Sequence, residues 1–286
     1  MIQGVFTALV TPFNHDGTID LGAYKAIIQW QLEQGVDGLV PVGTTGESPT
    51  LESEEKELLI RTAVEAAAGK VPVIAGTGAN STKTAIASTI KARELGADMT
   101  LQVAPYYNKP SEEGLYRHFT EIAEKGGLPV VLYNVPGRSA VNMGVALLLR
   151  IAGHPGVTAI KEASGNMGQI LELLNRRPKG LSILSGDDAL TLPMMSCGGD
   201  GVISVTSNMF PREMTNMVHL YLEGKTDEAE TIHNHLYPFF LNQFIETNPV
   251  PIKTYMAHKG LCAEVFRPPL CELCTQNRKI LLSTFS

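Results

Sequence analysis

Short runs of apolar and β-branched residues recur along the chain about every 30 positions, and the segments between them repeat their apolar positions every three to four residues. The runs predict strands at residues 5–9, 38–42, 72–76, 99–104, 130–134, 157–162, 181–185 and 201–205. The intervening periodicity predicts helices, clearest at 54–68, 82–95, 113–125 and 141–151. Ser53 and Ser111, each ahead of acidic residues, read as helix N-caps, and Gly35, Gly69, Gly96 and Gly126 as helix ends.

Strands alternating with helices at this spacing predict a parallel sheet with helical crossovers, and eight is the number that closes into a (β/α)8 TIM barrel. A doubly wound open sheet would usually carry a glycine-rich nucleotide turn after its first strand. Here that strand runs into Val10-Thr11-Pro12-Phe13 instead. Beyond Gly224 the strand pattern ends, and helices are expected at 226–241, 250–259 and 270–282, interrupted by Pro249, Pro251, Pro268 and Pro269. The expected organisation is a catalytic barrel at 1–224 and a C-terminal helical extension at 225–286, the latter an element for packing or assembly.

Chemistry in a barrel gathers at the C-terminal ends of its strands. The sixth predicted strand, Val157-Thr158-Ala159-Ile160-Lys161-Glu162, holds a lysine where an unpaired charge is costly. Burial favours the neutral amine, a nucleophile toward carbonyl carbon. A lysine snorkelling from the strand end to water is the plainer reading. Strict alternation sets Val157, Ala159, Lys161 and Ala163 on the inward face and turns Glu162 away from the amine. Strand 2 ends in Gly43-Thr44-Thr45-Gly46-Glu47, whose free N–H groups and hydroxyls suit a carboxylate. Strand 4 leads into Tyr106-Tyr107, strand 5 into Tyr133 and then Arg138, and strand 7 into Gly186-Asp187-Asp188.

The formal charge of −6 speaks against a nucleic-acid partner and leaves an anionic substrate dependent on a local arginine. No apolar run is long enough to span a membrane, and the N-terminus lacks a signal peptide, so the expected location is the cytoplasm. Four cysteines make no disulfide framework, and Cys271-Glu272-Leu273-Cys274 stands without a second pair at zinc spacing. The histidines are scattered, His233 and His235 lying in the extension, so no metal is expected. Gly198-Gly199 precedes the last strand, at the wrong end of the barrel for a sugar phosphate.

Together, Gly43-Thr44-Thr45-Gly46-Glu47, Tyr133 and Lys161 resemble the pyruvate-dependent class I aldolases typified by N-acetylneuraminate lyase. Tyr106-Tyr107 and Tyr133-Asn134-Val135-Pro136-Gly137-Arg138 resemble their dihydrodipicolinate synthase branch, and the likeness runs end to end. It implies condensation of pyruvate with L-aspartate 4-semialdehyde, the first committed step of lysine and diaminopimelate synthesis, without a cofactor. Lys161 would form the imine, Thr44 and Thr45 would hold the pyruvate carboxylate, and Tyr133, Thr44 and Tyr107 would relay protons, Tyr107 reaching in from a neighbouring subunit of a homotetramer. Arg138 would take the semialdehyde carboxylate, with Gly186 and Ile203 supplying main-chain contacts.

Lysine-inhibited members of the branch carry histidines and a glutamate where this chain has Ser53, Lys56 and Thr84, so insensitivity to lysine is expected, although Ser48, Asn80 and Tyr106 are retained. The competing readings are a sugar-acid aldolase or N-acetylneuraminate lyase, in which Arg138 would be out of place, and a non-catalytic acid-binding barrel, which has no use for a buried lysine.

Overall fold

The computed structural model describes residues 1–285. Eight parallel strands are observed: β1 (Gly4–Ala8), β2 (Gly38–Val40), β3 (Ile74–Gly76), β4 (Met99–Val103), β5 (Val130–Asn134), β6 (Val157–Glu162), β7 (Ser182–Ser185) and β8 (Gly201–Ser204). Their order is β2-β1-β8-β7-β6-β5-β4-β3. The ring closes between β2 and β3 through a parallel bridge from Leu39 to Val73, reinforced by Leu39 N–H to Pro72 O at 3.0 Å and Gly76 N–H to Pro41 O at 2.9 Å. The architecture is a (β/α)8 barrel.

Helices Leu21–Glu33, Ser53–Ala67, Thr82–Glu94, Glu112–Gly126, Val145–Ala152, Met167–Arg176, Thr191–Ser196 and Pro211–Leu222 follow the eight strands in turn. Parallel strands covered by helices are buried on both faces, so they read as nearly continuous apolar runs. Phe6, Val40, Ile74, Leu101, Val131, Leu184 and Ile203 fill the barrel interior, while Val130, Leu132, Ile160 and Ile183 pack outward against the helices.

Besides the helices expected from 141 and from 270, which begin only at Val145 and at Thr275, three local expectations need correction. Ser53 is the first helical residue; the cap is Glu52, in a capping box whose Glu55 carboxylate accepts the Glu52 N–H at 2.9 Å. A glutamate cap escapes a search for the hydroxyl and short amide residues that usually hold that place. Gly126 is still helical, and Gly127, at φ +73°, makes the turn. Gly126 is small because a Cβ there would stand 2.6 Å from Thr89 Cγ2.

The third correction concerns β6. Val130 pairs with Val157 but Val131 pairs with Ala159, so the register slips by one residue. Val157 consequently joins the outer core, and the inward face consists of Ala159, Lys161 and Ala163. The irregularity lies ahead of Lys161, leaving the lysine's inward direction intact.

The extension comprises helices Thr226–Asn242, Val250–His258 and Thr275–Leu282. Pro251 lies in the first turn of its helix, where no N–H is needed, and Pro238 is accommodated inside the preceding one. Arg267 ties the extension to the barrel: its guanidinium reaches Glu55 at 2.5 Å and the Gly17 carbonyl at 2.8 Å, and lies 4.4 Å from the Phe13 ring centre. Among the described residues, no helix is long and apolar enough to cross a membrane.

Candidate active site

Lys161 and Tyr133 are register partners on adjacent strands, which sets the amine 4.3 Å from the centre of the phenol ring. Lys161 is 5% exposed, and among the described residues no carboxylate lies within ion-pair distance of it. Burial pulls its pKa down to about 8, with Asp188 opposing the fall and Arg138 adding to it. Glu162 does turn away, taking Asn134 Nδ2 at 3.0 Å and the Ser164 N–H at 2.7 Å.

The β2 mouth forms a tight turn over Thr44–Gly46, closed by Glu47 at φ +55°. Thr44 and Tyr133 line the same cavity wall, and burial raises the Tyr133 pKa against the smaller effects of Arg138 and Thr44. Thr45 is buried and accepts from Asn248 Nδ2 at 3.0 Å. Glu47, fully buried, is paired with Lys253 at 2.6 Å and accepts the Arg267 N–H at 3.2 Å. The turn is thus held from behind by the C-terminal extension.

These groups face a cavity of about 160 Å³ lined by Thr44, Thr45, Tyr133, Arg138, Lys161, Ala163, Gly186 and Asp187. A dry cavity of about 150 Å³ holds benzene, so this one suits a ligand of about six heavy atoms. Gly186 has a steric reason to lack a side chain: a Cβ would stand 2.7 Å from Ala163 Cβ and 2.9 Å from Lys161 Cε. Asp188 lies just behind. It is fully buried and accepts from Ser204 Oγ at 2.5 Å, the Val205 and Thr206 N–H groups at 3.1 Å and Gln243 Nε2 at 3.0 Å. Asp187 lines the cavity, and burial next to Asp188 pushes its pKa up.

Lys161, Tyr133, Thr44, Thr45, Gly186 and Arg138 therefore converge. Arg138 sits on the exposed lip and donates from Nη2 to the Asn248 carbonyl at 3.1 Å. Ile203 is buried inside the barrel but does not line this cavity; Val205 forms the wall at the β8 end. Tyr107, 90% exposed and at φ +74°, is not brought to Lys161 within the chain. His233 bonds the Ala189 carbonyl at 3.0 Å and His235 stacks on Phe285, while Cys271 and Cys274 are exposed free thiols.

Phe244 and Asn248, both in the extension, line the cavity although their local sequence carries no signal of it. The extension is therefore part of the site and more than a packing element. A second cavity of about 760 Å³ reaches Thr44, Tyr133 and Arg138 from the other side. It is lined by Ser48, Ser53, Lys56, Asn80, Thr84 and Tyr106, and also by Glu57 and Lys91, which stand 4.0 Å apart.

The model of the dihydrodipicolinate synthetase family matches residues 1–286. A relative from Leptospira biflexa named 4-hydroxy-tetrahydrodipicolinate synthase is 50% identical over 273 residues, covering 96% of this chain and 92% of its own. One of the same name from Syntrophotalea carbinolica is 47% identical over 286 residues, covering 100% of this chain and 98% of its own. The solved 4-hydroxy-tetrahydrodipicolinate synthase of Methylacidiphilum fumariolicum SolV superposes with a TM-score of 0.97 at 47% identity, covering 99% of this chain and 95% of that one. Matched along its whole length in sequence and in fold, the chain belongs to the dihydrodipicolinate synthetase family, lyases of the class I aldolase type.

Proposed function

We propose that this enzyme joins pyruvate to L-aspartate 4-semialdehyde through an imine on Lys161. The observation that carries the reading is a buried lysine with no ion pair among the described residues, against the Tyr133 ring and beside the threonine turn, in a cavity of about 160 Å³. Pyruvate has six heavy atoms, which matches the cavity. The neutral amine attacks C2, and the adduct takes up a proton and loses water, leaving a protonated imine that acts as an electron sink. A methyl proton leaves to give the enamine, whose carbon attacks the aldehyde. The semialdehyde's own amine then displaces Lys161 and closes the ring.

Tyr133 is placed to move protons at these stages, a contribution worth roughly 10²–10⁴-fold. Thr44, on the same cavity wall, is the next member of the relay. The relay's third member, Tyr107, needs a second copy of the chain, since its own ring projects into solvent. That favours a homotetramer built from two tight dimers, and a fully active monomer by light scattering would refute it. Arg138, at the lip and tied to Asn248, is the cation for the semialdehyde carboxylate. The absence of a spanning helix fits a cytoplasmic enzyme without requiring it.

Free lysine is expected not to inhibit. Lys56, Lys91 and Arg138 in the larger cavity outweigh its one charged carboxylate, Glu57, for an incoming ammonium. Half-inhibition at sub-millimolar lysine would overturn this.

The central test is borohydride reduction in the presence of pyruvate, followed by peptide mass spectrometry. A reduced pyruvyl adduct on Lys161 is expected, and an unmodified Lys161 in active protein would sink the reading. A coupled assay with aspartate semialdehyde, with N-acetylneuraminate and 2-keto-3-deoxygluconate as controls, tests the second substrate.

A further inference from the structure

Asn248 touches both anion-binding groups of the small cavity. It is 4% exposed, lines the cavity wall, and leaves its Oδ1 buried without a partner. Its Nδ2 donates to Thr45 Oγ1 at 3.0 Å, and its backbone carbonyl accepts from Arg138 Nη2 at 3.1 Å. A hydroxyl carries one proton and can accept through its lone pairs. With Asn248 donating to it, the Thr45 hydroxyl keeps its own proton for a ligand.

Other residues already hold the shape of the turn. Glu47 is fixed by Lys253 and by the Arg267 N–H, and the Gly46 carbonyl accepts from Thr11 Oγ1 at 2.8 Å. What remains for Asn248 is the polarity of one hydroxyl. We infer that Asn248 is a positioning residue for the keto acid, donating to Thr45 so that the threonine proton points at the substrate carboxylate. The same residue, through its carbonyl, links this carboxylate site to the guanidinium expected to receive the second substrate. A buried amide that cannot satisfy both its ends within the protein is otherwise an uncompensated cost.

The inference rests on the imine reading, and the experiment separates the two. Asn248→Asp is nearly isosteric, but its carboxylate cannot donate: it captures the Thr45 proton and sets a negative charge beside the ligand. Pyruvate KM is expected to rise about tenfold in Asn248→Ala and more in Asn248→Asp, with kcat at saturation changed by less than about threefold, the pattern of lost binding shared by ground and transition states. On a Thr45→Val background, Asn248→Ala should add less than about twofold, because the hydroxyl it orients is gone. If the alanine variant does not fold, Asn248→Leu takes its place in both arms. An unchanged pyruvate KM in Asn248→Asp, or full additivity with Thr45→Val, overturns the assignment. Borohydride trapping in the unaltered enzyme reports separately on the imine: if it succeeds while the variants behave as wild type, only the role of Asn248 fails.

Discussion

Replacing Lys161, the proposed nucleophile, should make the protein more stable. Among the described residues Lys161 has no ion-pair partner, and burial lowers its pKa from 10.5 to about 8. The folded protein therefore binds this proton more weakly than the unfolded chain does. Below about pH 8 the penalty is present in full; it fades as pH rises from about 8 toward 10.5, and above that it is gone. At pH 7 the difference amounts to about 3 kcal/mol, from 1.36 kcal/mol per unit of pKa. The Tyr133 face, 4.3 Å from the amine, offsets part of it, by about 1–2 kcal/mol for a desolvated cation. Lys161→Met keeps the length and flexibility of the side chain without the charge. It should be stabilised by about 1–2 kcal/mol at pH 7, a rise in Tm of roughly 2–3 °C. Urea and thermal unfolding of both proteins at matched concentration, at pH 7 and again near pH 10.5, would measure it. The increment should shrink at the higher pH while pyruvate trapping is abolished at both. A variant that is less stable at pH 7, or an increment indifferent to pH, would refute the claim that Lys161 is held in the fold at a cost.

The same amine should react faster as pH rises, with imine formation levelling above about pH 8; stopped-flow trapping reads this, and a profile still climbing toward 10.5 would mean the amine is not perturbed. Gly186→Ala puts a methyl 2.9 Å from Lys161 Cε and should cut kcat/KM, by about 10², the scale of a 1 Å misplacement. Lys253→Met strands the buried Glu47 carboxylate and should cost about 3–5 kcal/mol in urea unfolding. Adding Glu47→Gln should restore most of that loss, and a failure to do so would count against the ion-pair explanation.

The barrel is legible in the sequence because its strands are short, nearly continuous apolar runs, whereas the helices between them repeat their apolar positions every three to four residues. Boundaries at β5 and β6 agree to the residue, whereas the slip at Val157 is invisible, since Thr158 fits an alternating strand as well as it fits an irregular one. The convergence of the strand-end residues on one cavity was readable because the architecture fixes which end carries chemistry. Asn248 and Phe244 were not, as they reach the site through a fold-back some 200 residues from the turn they touch, and Asn248 makes its contact across a sequence separation of 203. Tyr107 is the reverse case: its motif was plain, but one chain alone does not bring it home.

Two lysines are buried in this protein, and they show what an apolar setting does and does not imply. Lys253 is completely enclosed, yet it lies 2.6 Å from the Glu47 carboxylate and 4.2 Å from the Phe13 ring centre. Its charge has a destination, and its work is to brace the turn that carries Thr44 and Thr45. Lys161 has the Tyr133 ring and a more distant Asp188, whose carboxylate is already committed to four donors. Burial alone therefore does not mark a nucleophile; burial without a committed counter-charge does. In the sequence the two could be told apart only by surroundings, because an amphipathic helix can hide a lysine's partner anywhere in the chain, while a strand of small apolar residues leaves it few places to be. The two meet at the threonine turn, with Lys253 holding the platform and Lys161, the proposed nucleophile, above it. Loss of Lys253 should therefore weaken pyruvate binding along with stability, whereas loss of Lys161 should separate the two, ending catalysis in a firmer fold.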